Sequence, residues 1–195
     1  SHYLNISYGK PSLQETLLDI ELFGSALASA FGGLFQDSTA SVSTPQGSTG
    51  TIVVSSTISI DKKTELGLGF AYQGNPADFI ATVRSNGTRR STKIGSYKYN
   101  HYTFFLEFTT VYGPRKSLSS KSYFYGGLGL GYTIRKEKRA GEAVPTIKVL
   151  KSRLWLPQLT PIGFAVHSKR MRFKVDVGFG YRPFITGSVG FRINK

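Results

Sequence analysis

The chain has 195 residues and no cysteine, and its 25 Lys plus Arg against 11 Asp plus Glu give a net charge of +14. Disulfides and thiolate metal sites are therefore excluded, and no apolar run approaches the ~20 residues that a membrane-spanning helix needs. The positive charge predicts attraction to phosphates or other anionic surfaces; no basic helix, zinc spacing or ribonucleoprotein-type aromatic motif accompanies it, so nucleic acid is not an expected partner.

Glycine (22), phenylalanine (14) and tyrosine (11) set the character of the chain, and the dominant pattern is alternation with period two. The first predicted strand, His2 to Tyr8, aligns Leu4, Ile6 and Tyr8. Thr51 to Ile60 aligns Ile52, Val54, Ile58 and Ile60, and Glu65 to Gln73 aligns Leu66, Leu68, Phe70 and Tyr72. His101 to Tyr112 sets Tyr102, Phe104, Leu106, Phe108 and Tyr112 opposite Glu107. Ser122 to Arg135 sets Phe124, Leu128, Leu130, Tyr132 and Ile134 against Gly127, Gly129, Gly131 and Arg135. A sixth strand, about Lys151 to Val166, is interrupted by Pro157 and Pro161, and proline is confined to edges, strand starts and bulges. Met171 to Tyr181 and Phe184 to Ile193 complete eight, which is enough for one barrel domain over residues 1–195.

The predicted connections alternate in length. Gly9 to Gly50, Gly74 to Tyr99 and Lys136 to Leu150 are long; Asp61 to Lys63, Gly113 to Lys121 and Ser168 to Arg170 are short. In an antiparallel meander this puts the long loops at one end and the turns at the other, with Arg182 to Phe184 a tight turn at the long-loop end. One short helix is predicted in the first loop (about residues 9–50), where Pro11, Ser12 and Glu15 form a capping box ahead of an apolar stripe from Leu13 to Leu34. The Ser, Thr and Gly of Gln36 to Gly50 predict a loop.

Apolar strand faces opposite charged and glycine-rich ones fit either a soluble barrel with its apolar face inward or a membrane barrel with that face outward. Two features favour the second. Tyr8, Tyr72, Tyr102, Tyr112, Tyr132 and Tyr181 fall near strand ends on the apolar face, as interface aromatics do. The other face collects Glu65, Glu107, Arg135, Arg172, Lys174, Asp176 and Arg192 among glycines, a set suited to a narrow lumen filled by a paired charge network.

No catalytic, cofactor or metal site is predicted. His167 and Ser168 are adjacent in a strand end and so point to opposite faces. The glycines of Gly67 to Phe70 and Gly127 to Gly131 lie within strand alternation with no helix behind them, unlike a phosphate loop.

Ile6 to Ser12, Thr160 to Gly163, and Val175 to Tyr181 followed by Ile185 to Ile193 resemble the small outer-membrane β-barrel family of Gram-negative bacteria. The resemblance implies an all-β, eight-stranded antiparallel up-and-down transmembrane barrel, exported with its signal peptide removed, with both termini in the periplasm. Such barrels commonly end in an aromatic residue; this chain ends in Lys195, with Phe191 and Ile193 nearby. The expected role is non-catalytic, structural or surface-interacting, with no open pore, as a monomer whose partners are membrane lipid and lipopolysaccharide. The alternatives are an outer-membrane lipid-modifying hydrolase using His167 and Ser168, and a soluble barrel holding a hydrophobic ligand.

Overall fold

The computed structural model describes residues 2–12, 38–43, 50–85, 88–113, 116–140 and 152–193. These form nine strands: β1 (His2–Ser12), β2 (Ser38–Ser43), β3 (Thr51–Ser59), β4 (Thr64–Ser85), β5 (Thr88–Val111), β6 (Ser122–Ala140), β7 (Arg153–His167), β8 (Met171–Gly180) and β9 (Pro183–Arg192). Eight of them, β1 and β3 to β9, pair antiparallel in a closed ring, β1 joining β9 and β4 joining β5. Closure leaves the ring without a free edge, which is how an all-β fold escapes edge-to-edge association. No helix occurs among the described residues.

Strand length varies sharply around the ring. At 9 to 11 residues each, β1, β3, β8 and β9 are the short wall, whereas β4 and β5 run 22 and 24 residues and stay paired from Thr64↔Thr110 to Ser85↔Thr88. The segment Gly74 to Tyr99, expected as a long loop, is therefore a hairpin that continues the wall beyond the barrel. Likewise β2 occupies Ser38–Ser43, within the expected loop Gln36 to Gly50, and pairs with the far part of β4, Ser38↔Val83 to Ser43↔Asp78. Of the predicted capping box, Pro11 and Ser12 end β1, and the helix beyond them lies outside the described residues.

Both prolines of the sixth predicted strand are accommodated in β7. Pro157 stands opposite Leu130, and Pro161 falls at the register shift between Leu159 and Ile162, where a bulge removes the need for its missing N–H. Tyr112 donates its hydroxyl to the Pro161 carbonyl at 2.8 Å from across the wall.

The faces sort in the inverted sense. Leu128 is 64% exposed, Trp155 62% and Leu68 58%, whereas Glu65, Asp176 and Arg172 are exposed by 2% or less. Every barrel strand contributes exposed apolar residues to an outer belt, and charged residues such as Glu65, Glu107, Arg172 and Asp176 lie inside together with a smaller set of buried apolar side chains.

Interior glycines make room for rings. A Cβ at Gly129 would lie 2.7 Å from the Tyr181 hydroxyl, one at Gly131 2.7 Å from the Tyr181 ring, and one at Gly163 against the ring of Tyr125. Each is a close approach that only glycine permits.

Candidate functional site

The lumen is built in layers from side chains that alternation turns inward. Toward the short-turn end, Val111, Leu118, Tyr123, Tyr125 and Ala165 make one apolar cluster. Against it packs the first ionic group, Lys174 standing opposite Ala165 and Arg172 opposite His167 in the β7–β8 register. Arg172, fully buried, pairs with Glu65, and its other terminal nitrogen donates to Asn5 Oδ1 at 3.1 Å and Thr57 Oγ1 at 2.8 Å. Lys174 donates to the second Glu65 oxygen at 2.9 Å. The Tyr3 ring lies 4.2 Å from the Arg172 guanidinium carbon and the Tyr125 ring 4.8 Å from Lys174 Nζ, so aromatic faces shield both cations.

A second centre forms around Arg182. Its Nη1 donates to both Glu107 oxygens, at 2.8 and 2.9 Å, and its Nη2 reaches Asp176 Oδ2 at 3.2 Å. Tyr125 adds a hydroxyl to the same Asp176 oxygen at 2.9 Å, and the Arg182 amide donates to Gln158 Oε1 at 2.9 Å. Glu65, Glu107 and Asp176 thus face Arg172, Lys174 and Arg182, three charges of each sign. A buried ion deprived of its partner would carry a desolvation cost of several kcal/mol, and this layer leaves none of the six so placed.

Beyond the ions comes a second apolar layer, Val53, Ala71, Phe105, Leu156 and Tyr181, with Phe105 stacked on Tyr181 at 4.9 Å between centroids. Inward alternation on β3, β5 and β7 places most of this layer.

Of the seven residues expected in the lumen network, Glu65, Glu107, Arg172, Lys174 and Asp176 are brought together. Arg135 stands apart, opposite the buried His101 in the β5–β6 register, with its guanidinium carbon 6.0 Å from the centre of the Tyr99 ring. Arg192 is exposed at the end of β9, where strand pairing gives way, and does not enter the network. The cation that binds Glu107 and Asp176 is instead Arg182, which strand alternation did not nominate because it lies in the β8–β9 turn.

The expected aromatic set needs one correction. Tyr8 and Tyr112 are exposed on the outer face, and Tyr72, Tyr102 and Tyr132 lie half-buried on it. Tyr181 is fully buried in the lumen. Gly180, at φ +144°, breaks the alternation, so that Gly180, Tyr181, Arg182 and Pro183 are all buried in succession. The rest of the outer set is tied together: Tyr72 packs on Tyr102 at 5.5 Å, Tyr132 on Trp155 at 5.0 Å, and the Tyr72 hydroxyl donates to Asn100 at 3.0 Å.

His167 faces the lumen, with Nε2 3.2 Å from the Tyr123 hydroxyl and Nδ1 3.5 Å from that of Tyr3, whereas Ser168 is exposed and its amide closes the turn onto the Met171 carbonyl at 2.8 Å. Its aromatic neighbours hold the imidazole, and among the described residues no carboxylate is hydrogen-bonded to it. Among the described residues no group of three His, Asp or Glu side chains comes together to hold a metal ion. An apolar recess of about 360 Å³ lies on the outer wall between Phe108, Tyr112, Leu128, Leu159 and Pro161, where Gly126 and Gly127 leave the surface low.

Compared with protein-family models, curated proteins and solved structures, the chain shows no match.

Proposed function

We propose that the chain is a non-catalytic outer-membrane β-barrel protein of the Gram-negative type, a monomer with a structural or surface-interaction role and no open pore. The observation that carries this reading is the inverted sorting of side chains: a continuous apolar belt outside and neutralised charge within. Water would make that belt an aggregation surface, since soluble monomers rarely expose contiguous apolar patches beyond a few hundred Å². Lipid makes it the favourable side. Its height fits: from Phe124 to Ile134 on β6, at about 3.4 Å per residue and the tilt of about 40° common in such barrels, the wall rises about 26 Å, close to the ~25 Å apolar band of outer-membrane barrels.

Both termini of the ring, His2 and Arg192, lie at the short-turn end, beside Ile58 and Arg170. In an outer-membrane barrel that end faces the periplasm, and the long hairpin of β4 and β5 then stands on the outer side. The packed layers of ions and rings support a closed lumen.

Refolding the urea-unfolded chain with phosphatidylcholine vesicles, followed by flotation and heat-modifiable gel mobility, tests the reading. It predicts that the folded barrel floats with lipid and precipitates without lipid or detergent. A folded monomer that stays soluble in plain buffer overturns it.

A further inference from the structure

The three lumen cations are balanced by three lumen acids, so the +14 excess resides elsewhere. Strand register shows where part of it collects. Along the outer face, Phe70, Phe104, Tyr132 and Trp155 stand side by side across β4, β5, β6 and β7. The next row toward the long-hairpin end is Tyr72, Tyr102, Ile134 and Arg153; the row after that pairs Asn100 with Lys136, and the one beyond it Lys98 with Lys138. The wall therefore passes from aromatic to cationic within two or three rows. Lys98, Lys136, Lys138 and Arg153 are all exposed, and Lys136 Nζ lies 5.7 Å from the centre of the Tyr102 ring.

This cluster is costly as it stands. Like charges directly opposite across a strand pair repel, and Lys98 faces Lys138 in that way. None of the four makes an ion pair with a described carboxylate. Alternation turns Glu137 to the opposite face of β6 from Lys136 and Lys138, and the nearest acid by register, Asp78 on β4, stands one row beyond Lys98. An anion held between the lysines would relieve the repulsion, and the aromatic rows fix its depth, since such rings settle at headgroup level.

We infer that Lys98, Lys136, Lys138 and Arg153 form a binding site on the outer wall of β5, β6 and β7 for the phosphate of a membrane lipid headgroup, whose acyl chains lie along the row of Tyr132 and Trp155. The inference rests on the membrane reading above and locates its lipid partner. A lipid is the occupant that fits because the cations border the apolar belt rather than a polar cavity, so that one molecule meets both its phosphate and its acyl chains.

Trp155 is the only tryptophan of the chain and lies on β7 two residues from Arg153, so its fluorescence reports this site alone. The barrel is reconstituted in vesicles of phosphatidylcholine containing a fixed share of brominated phosphatidylglycerol or, separately, brominated phosphatidylcholine, and quenching is compared. We expect the anionic lipid to be preferred about threefold or more at low salt, given the attraction of each cation near a lipid surface. The preference should fall toward one in K98Q/K136Q/K138Q and persist in K62Q/K121Q/K169Q, which removes equal charge from exposed positions at the short-turn end. Equal quenching by the two lipids in the parent, or an equal loss in both triple variants, overturns the site. Loss of the preference on adding inorganic phosphate, but not chloride of the same ionic strength, assigns the cluster to free phosphate and overturns the lipid. A barrel that is quenched by both lipids alike is still in the bilayer, so this inference fails there while the membrane reading stands; absence of quenching by either sinks the membrane reading.

Discussion

Replacing Arg182 with methionine keeps most of the side-chain volume and removes the guanidinium that bonds Glu107 at 2.8 and 2.9 Å and Asp176 at 3.2 Å. Both carboxylates are buried. Asp176 keeps the Tyr125 hydroxyl, while Lys174 and Arg172 remain committed to Glu65. Breaking a buried pair by removing one partner costs ~3 to 5 kcal/mol because the other charge is left uncompensated, and here one cation serves two acids. We expect Arg182→Met to lower the unfolding free energy by about that amount, a large share of the ~5 to 15 kcal/mol of a typical domain. The triple variant Arg182→Met, Glu107→Gln, Asp176→Asn strands no charge and should recover more than half of the loss. Urea titration of barrels in vesicles, with the slope checked for constancy, measures both. A loss under about 1 kcal/mol for the single variant, or a triple variant no more stable than the single, would refute the view that Arg182 is the ionic keystone of the lumen.

Leu130→Arg, on the outer belt, should lose ~2 to 4 kcal/mol in vesicles, whereas Ser188→Ala, inside, should change stability little; both are read by the same titration. Gly131→Ala places a methyl group 2.7 Å from the Tyr181 ring and Thr103, and overpacking of this kind should cost about 1 to 3 kcal/mol, relieved in part when Tyr181→Ala removes one of the two contacts, as a double-mutant cycle in the same titration would read. In the β3–β4 turn, Asp61 Oδ1 accepts from the amides of Lys63 at 2.6 Å and Thr64 at 2.7 Å, and these bonds hold its carboxyl below the usual value for aspartate. A lowered folded pKa means a contribution present above the unfolded pKa and lost as pH falls through the folded one. The stability gap between the parent and Asp61→Ala should therefore be constant near neutral pH and shrink in acid below about pH 4, and a gap independent of pH would contradict this.

Alternation alone reveals all eight barrel strands and the faces of most of them, because the pleat imposes a period of two; in β7 the bulge at Pro161 shifts the phase, and no face is legible there from the sequence. It also brings Glu65, Glu107, Arg172, Lys174 and Asp176 to one interior. It fails where the backbone leaves the pleat. At Gly180 the positive φ turns Tyr181 inward and carries Arg182 into the lumen, so a residue read as a turn supplies the central cation. The sequence marks the spot only by Gly180 two residues before Arg182 and Pro183 directly after it. The extension of β4 and β5 is hidden for another reason. Gly74, Asn75 and Pro76 mark a loop by composition, and the strand beyond them lacks a sustained apolar face, yet the ladder continues through Pro76↔Lys98. The inner layer of Val53, Phe105, Leu156 and Tyr181 draws on β3, β5, β7 and the β8–β9 turn at once, and only closure of the ring shows that these inward residues meet.

The orientation of the wall is tested most directly by nitroxide labels placed singly at consecutive positions of β5, Phe104 to Phe108, in the reconstituted barrel. Collision with oxygen, which concentrates in lipid, and with a water-soluble nickel chelate is then measured by electron paramagnetic resonance. The account predicts oxygen maxima at Phe104, Leu106 and Phe108, which are exposed, and low collision with both reagents at Phe105 and Glu107, which are buried. Nickel maxima at Phe104, Leu106 and Phe108 would place that face in water and contradict the account.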